Sequence, residues 1–249
     1  AKRQGYIDAN PIEDLEVPQG ESREIVIEPD EFQELLTFVR QDALRDLMVV
    51  TWETGCRPQE SLRVEARHVD ERNQRWVFPR NESKMRQGAR VVYLTDNAFT
   101  ITQRLMGSHP SGKLFRNTLG KPWTTEAVNC VFQALRVRVG NHGMKVQRVE
   151  VSVEDIKALI PALSPTKVVK GEKVTKTVAE LRCEAKRKLT RRLAREFAPA
   201  YSLYALRHSW ATNALKRGID PLTVAILMGH RDPSTLARVY QHLSLSPAH

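Results

Sequence analysis

The stretch SLYALRHSWATNALKRGIDPLTVAILMGHRDPSTLARVYQHLS, Ser202–Ser244, decides how the rest of the chain is read. It divides into three short helices. Ser202 is a good N-cap, and Leu203, Leu206, Trp210, Ala214 and Leu215 follow at helical spacing. Gly218 supplies a stop. Asp220-Pro221 then starts a second helix, an N-cap followed by proline at the first helical position, and Gly229 ends it. Asp232-Pro233 repeats the device and opens a third segment, which carries Tyr240. The three segments present polar residues that a helical core does not need: Tyr204, Arg207 and His208 on the first, His230 just past the second, Tyr240 on the third. Tyr204 and Arg207 are three apart and share a face. His230 sits at a helix C-terminus, where a cationic imidazole is favoured. An arginine holds non-bridging phosphate oxygens bidentately, a histidine adds a hydrogen bond, and a phenol is a nucleophile once activated. Together they suit chemistry on a phosphodiester.

The ordered run Leu206-Arg207-His208, Leu227-Met228-Gly229-His230, Thr235 and Tyr240-Gln241-His242 resembles the catalytic domain of the tyrosine recombinase (integrase) family. The resemblance implies that Arg207 is the second catalytic arginine, His230 the histidine after the invariant glycine, and Tyr240 the nucleophile. Further upstream, Thr54-Gly55-Cys56-Arg57-Pro58-Gln59-Glu60-Ser61-Leu62 resembles the family's first arginine motif. It implies that Arg57 is the first catalytic arginine, with Glu60 one helical turn on to orient it. The chain departs from the pattern at one position. The family usually has histidine three residues before the second arginine, and here that residue is Tyr204. A tyrosine hydroxyl can hydrogen-bond to a phosphate oxygen but accepts a proton poorly at neutral pH, so slower or more substrate-dependent cleavage is expected.

Taken in order, residues 1–27 read as an interdomain linker or tail, with proline, glycine and charge but little periodicity. The resemblance implies that this is where an N-terminal DNA-binding domain, absent from this sequence, hands over to a catalytic domain at 28–249. Residues 29–39 and 42–54 form helices, the second stopped by Gly55. Arg75–Phe78 and Ala89–Leu94 switch to strand character, around a polar, positively charged loop, PRNESKMRQG. The family places a lysine on such a hairpin. The resemblance implies that Lys84 is the general acid toward the leaving 5′-oxygen, with Arg90 in the register of the strand-opening arginine. Arg80, Arg86 and Arg90 compete for that role, and Arg86 and Arg90 are also candidate DNA contacts. Helices follow at 95–106, capped by Thr95 or Asp96, and from Thr124-Thr125-Glu126 onward, where Arg136 and Arg138 are expected to face solvent. The fold class is therefore mostly α with a small antiparallel β-sheet, and the resemblance implies the integrase catalytic-domain fold.

Residues 140–200 lengthen a connection that the family makes in a shorter span. They contain a capped helix at Ser152–Leu159, a Pro/Lys-rich turn at SPTKVVKGEK, and a strongly basic helix whose apolar stripe runs Val178, Leu181, Ala185, Leu189, Leu193, Phe197. Lys186, Arg187, Lys188, Arg191, Arg192 and Arg195 fill much of the remaining face. Lys188, Arg191, Arg192 and Arg195 are candidate contacts to DNA phosphates, against the alternative of a solvated helix held by pairs such as Glu184–Lys188.

The 249 residues carry a formal charge of +10 and a pI of about 9.7, which suits a polyanionic partner. Cys56, Cys130 and Cys183 lack the spacing of a zinc site or a disulfide framework, which points to a reducing, intracellular setting, and the resemblance implies a cytoplasmic location with the DNA. No apolar run reaches transmembrane length and no signal peptide opens the chain; Ala1 in first position reads as a fragment or processed chain. The resemblance implies double-stranded DNA as the partner, a homotetramer on DNA from a protein that can be monomeric when free, and breakage and rejoining through a 3′-phosphotyrosine. That chemistry needs no cofactor or metal, and no Gly-rich phosphate loop is present. Two rivals share the scaffold: a DNA-binding protein with impaired catalysis, and a type IB topoisomerase-like enzyme.

Overall fold

The structure, a computed structural model, describes residues 25–82 and 88–230. Lys84, Arg86, Tyr240 and the third segment of the opening stretch lie outside the described residues. The elements run, in chain order, α1 (Pro29–Thr37), α2 (Asp42–Thr54), α3 (Pro58–Ser61), β1 (Val69–Asp70), β2 (Arg75–Phe78), β3 (Arg90–Tyr93), α4 (Asp96–Ser108), α5 (Thr125–Val146), α6 (Val153–Leu159), β4 (Thr166–Val169), β5 (Glu172–Thr175), α7 (Val178–Glu196), α8 (Leu203–Lys216) and α9 (Pro221–Met228). The described fold is mostly α with small antiparallel sheets, as expected. β1, β2 and β3 form one sheet in that order, with Trp76 opposite Val92 and Phe78 opposite Arg90.

The main core gathers the apolar stripes of α1, α2, α4 and α5 with the inward face of the sheet. Trp76, Trp123, Phe32, Phe78, Phe115 and Phe132 are its largest fully buried aromatic members, and Leu206 brings α8 into it. A smaller cluster of Ala211, Ala214, Val224, Ala225 and Met228 joins α8 to α9. The small side chains let these two helices approach closely, and they carry Arg207 and His230 respectively. Among the described residues no helix is long and apolar enough to cross a membrane.

Four sequence expectations change. Residues 1–27 read as linker, yet Ile27 is buried in the main core. Its N–H donates to Ser209 Oγ at 2.8 Å and its carbonyl accepts from Asn213 Nδ2 at 3.0 Å, both on α8. A buried apolar side chain flanked by satisfied backbone groups is part of the domain. The Pro/Lys-rich turn at 164–173 is instead part of a β-hairpin, β4 against β5. Lys170 and Gly171 both have positive φ, 52° and 91°, which suits the tight two-residue turn of a hairpin. Arg136 and Arg138 are half-buried and fold back onto backbone carbonyls. Arg136 donates from Nε to Ala198 O at 2.8 Å and from Nη2 to Arg195 O, capping the end of α7. Arg138 Nε donates to Phe38 O at 3.1 Å, at the end of α1. Unpaired carbonyls at helix ends are natural acceptors for guanidinium.

The fourth change concerns α5, which runs without a break through the expected start of the insertion at residue 140 and ends at Val146. α7 lies against it, most closely where Gly140 meets Ala194. A Cβ on Gly140 would stand 1.8 Å from Ala194 O. The outer face of α7 exposes Arg187, Lys188, Arg191, Arg192 and Arg195. The expected Glu184–Lys188 pair forms at 3.0 Å, and Glu184 also holds Lys176 at 2.7 Å.

Candidate active site

The site is assembled from helix ends. α2 stops at Gly55, whose φ of 59° is left-handed and whose N–H donates to Thr51 O. A Cβ there would lie 2.5 Å from the indole of Trp210, so this position requires glycine for both conformation and space. The chain then turns into α3 with Arg57 just before it and Pro58 at its first position. Glu60 reaches back: its Oε2 accepts from the Arg57 backbone N–H at 2.8 Å and its Oε1 from Arg57 Nη1 at 3.0 Å. One carboxylate thus accepts from both the backbone and the guanidinium of Arg57 at the helix start.

α9 supplies the facing wall. It ends in a reciprocal cap in which Gly229 N–H donates to Ile226 O at 2.9 Å and His230 N–H to Ala225 O at 2.8 Å, with Gly229 at φ 70°. The Met228 and Gly229 carbonyls remain available, and arginines fill them. Arg57 Nη2 donates to Gly229 O. Arg207 Nη2 donates to Met228 O at 2.8 Å, and its Nη1 to Gly55 O at 2.5 Å. Arg207 therefore bridges the C-termini of α2 and α9, where the helix dipoles favour a cation. Its side chain leaves α8 one turn after the Ser202 cap, whose Oγ accepts from Ala205 N–H at 3.0 Å.

The electrostatics follow from this packing. Arg207 is only 4% exposed, and burial, then the positive charge of Arg57, lower its pKa to about 10. It remains charged at neutral pH. Glu60 is 7% exposed; burial alone would raise its pKa, but Arg90 and then Arg57 hold it below the usual carboxylate range. His230 is pushed down to about 4 by burial and then by Arg207, Arg57 and Arg90. Its imidazole is neutral at physiological pH, with a buried Nδ1 that has no hydrogen-bond partner among the described residues. A neutral ring offers one nitrogen to donate and one to accept.

The low pKa of His230 has a sign that can be checked. A histidine lowered from 6.5 to about 4 takes up its proton more readily in the unfolded chain. Its contribution to stability is complete above 6.5 and is lost as pH falls through that window toward 4. The free protein is expected to weaken over this range, and His230→Gln to weaken less. Urea midpoints for both proteins at about pH 7 and about pH 4.5 test it; equal pH dependence in the two would refute the assignment.

The structure thus brings Arg57, Glu60, Arg207 and His230 together. Tyr204 is placed on the first turn of α8 and is 69% exposed. His208 is buried. Arg90, a candidate DNA contact in the sequence, is turned inward onto Glu60, donating from Nε to Oε1 at 2.9 Å. Sequence reading missed the carbonyls of Gly55, Met228 and Gly229 as arginine acceptors. The signal was present in two glycines that end apolar helices, since a left-handed cap leaves carbonyls facing outward.

Two arginines, a carboxylate and a neutral histidine thus converge on paired helix ends. Residues 26–158 and 157–246 match the profile of the phage integrase family, and the chain belongs to that family. It is 30% identical over 109 residues to the tyrosine recombinase XerA of Saccharolobus solfataricus, across 44% of this chain and 35% of that protein. The matched region thus spans about a third of that relative's length. Among solved structures, the Tn1549 transposon integrase in complex with a circular intermediate DNA superposes with a TM-score of 0.56 at 16% identity, over 95% of this chain and 68% of that one. A XerA recombinase crystal structure gives a TM-score of 0.50 at 14% identity, over 97% and 70% of the two chains. These likenesses are of fold.

Proposed function

We propose that this chain is the catalytic domain of a site-specific recombinase that breaks and rejoins double-stranded DNA through a phosphotyrosine on Tyr240. The observation that carries the reading is the convergence of Arg57 and Arg207 on the end of α9 beside a neutral His230. Tyr240 Oη gives up its proton to solvent and attacks the scissile phosphorus, the bond to the 5′-oxygen breaks, and the protein is left joined to the 3′-phosphate. The transition state places a second negative charge on the non-bridging oxygens. Arg57 and Arg207, already fixed by helix carbonyls, stabilise it without reorganisation. His230 adds a hydrogen bond, Lys84 protonates the departing 5′-oxygen, and Tyr204 is a further donor at the open side of α8. A 5′-hydroxyl of a second strand then attacks the phosphotyrosine, restoring the diester and freeing Tyr240. The bond energy is conserved in the phosphotyrosine, so no nucleotide is consumed.

The exposed cations of α7, Lys188, Arg191, Arg192 and Arg195, are the proposed phosphate-backbone contacts outside the site. Duplex DNA as partner accords with the DNA-bound state of the Tn1549 integrase structures. Assembly as a tetramer on DNA in the cytoplasm is part of the same proposal.

The test is a covalent trap. Duplexes nicked so that the 5′-hydroxyl piece is lost after cleavage are incubated with the protein and with Tyr240→Phe. A denaturation-resistant adduct is expected with the first and a loss of at least about 1,000-fold with the second. An adduct at one defined sequence supports the recombinase, and adducts at scattered sequences favour a topoisomerase-like enzyme. DNA binding with no adduct would leave a binding protein on the same scaffold.

A further inference from the structure

Arg90 opens β3, opposite Phe78, and its guanidinium points into the site rather than along the sheet. Nε donates to Glu60 Oε1 at 2.9 Å, Nη2 reaches Oε2 at 3.4 Å, and Nη1 donates to Val91 O at 2.6 Å. The Arg90 side chain is 11% exposed. Glu60 therefore receives four N–H groups, two from Arg57 and two from Arg90, which fills the acceptor capacity of a carboxylate. The same guanidinium lies against Gly229: a Cβ there would meet Arg90 Cζ and Nε at 2.8 Å. Arg90 thus touches both the carboxylate that aims Arg57 and the turn that carries His230.

From this arrangement, and resting on the recombinase reading above, we propose that Arg90 is a positioning residue that frees Arg57 for phosphate by sharing Glu60. Three guanidiniums, Arg57, Arg90 and Arg207, against one carboxylate leave a formal charge of +2 beside a neutral His230. A phosphodiester brings one negative charge and its pentavalent transition state two, so Arg90 raises the fixed charge of the cluster toward what the transition state needs. Without Arg90 the formal charge falls by one and Glu60 loses two of its donors. The carboxylate then draws Arg57 toward itself, in competition with the phosphate. The deficit appears where charge develops, in the cleavage step, more than in DNA binding.

The experiment measures single-turnover cleavage of the nicked duplex together with the dissociation constant for the same DNA. It compares the wild-type chain with Arg90→Met, Arg90→Gln, Arg90→Lys, Glu60→Gln and the double variant Glu60→Gln/Arg90→Met. Arg90→Met is expected to slow cleavage by roughly 10–100-fold with DNA affinity within about 3-fold, and Arg90→Lys to recover part of the rate. The double variant should cut faster than Arg90→Met alone, because the unshared anion is gone. A merely structural role predicts the opposite, with the two losses multiplying. Wild-type rates in Arg90→Met, equal losses of rate and affinity, or a double variant at the product of the singles would overturn the assignment. If melting curves show that Arg90→Met does not fold, Arg90→Gln, which keeps an N–H but no charge, is judged by the same criteria. A wild-type chain that forms no adduct counts against the recombinase reading; an active wild type beside an unaffected Arg90→Met counts against this assignment alone.

Discussion

Arg207→Ala is expected to lower the rate of strand cleavage by at least about 1,000-fold while DNA affinity changes by less than about 10-fold. The argument is geometric. Arg207 is the most buried cation of the cluster, and its two bonded Nη groups already span Gly55 O and Met228 O. Its remaining N–H groups are fixed in direction by those two bonds, so in the proposed reaction they would meet a developing phosphorane charge with no rearrangement. Burial, which lowers its pKa to about 10, also strengthens its attraction to an anion in the site. Lysine offers a point charge and no fork, so Arg207→Lys should recover little. DNA affinity, by contrast, is set chiefly by the many exposed cations of a chain with net charge +10. The check is a single-turnover cleavage assay and a binding isotherm on the same duplex, with a melting curve for each variant. A folded Arg207→Ala that cleaves within about 10-fold of wild type would remove Arg207 from the mechanism.

Much of this site was legible before any coordinates because its determinants are local. Gly55, Pro58 and Glu60 fix the direction of Arg57 within six residues, through a left-handed cap and a carboxylate that returns to its own helix start. Asp220-Pro221 and Gly229 mark both ends of α9 in the same way, with Asp220 Oδ2 accepting from Thr223 N–H at 2.8 Å. Ser202 caps α8 as expected, Thr95 rather than Asp96 caps α4, and Thr124 caps α5 at its expected start.

What escaped the sequence is long-range. Nothing near Arg90 says that its partner is Glu60, thirty residues earlier. Arg136 reads as a surface cation until the end of α7, about sixty residues on, presents its carbonyls. Ile27 ends a three-residue apolar run, Ile25-Val26-Ile27, too short to mark an element, but Ser209 and Asn213 on α8 satisfy its backbone. The hairpin of β4 and β5 was hidden because Val168, Val169 and Val174 are all exposed, so its alternation marks no buried face.

Gly140→Ala carries the other large expected effect, and a neighbouring glycine provides its control. Alanine is normally the better helix former by about 1 kcal/mol, so a Gly→Ala change within a helix should stabilise. At Gly143 it should do so: an added Cβ would meet Phe197 Cβ at 3.6 Å, an ordinary contact. At Gly140 the same methyl would stand 1.8 Å from Ala194 O and 2.5 Å from Ala194 C. These are backbone atoms inside α7, which cannot rotate away, so the two helices must separate. Overpacking of this kind costs about 3 kcal/mol or more, well beyond the propensity gain. Separation would also draw Arg195 O and Ala198 O from Arg136, removing the cap on α7. The chain passes from there through the buried Ala198 and Tyr201 into α8, so the strain is transmitted toward Arg207. Urea unfolding should therefore show Gly140→Ala strongly destabilised and Gly143→Ala unchanged or more stable, with limited proteolysis of the first cutting within residues 147–200. Equal stability of the two variants would mean that α7 does not rest on α5 at this seam, and the basic ridge would then have no fixed platform from which to meet a phosphate backbone.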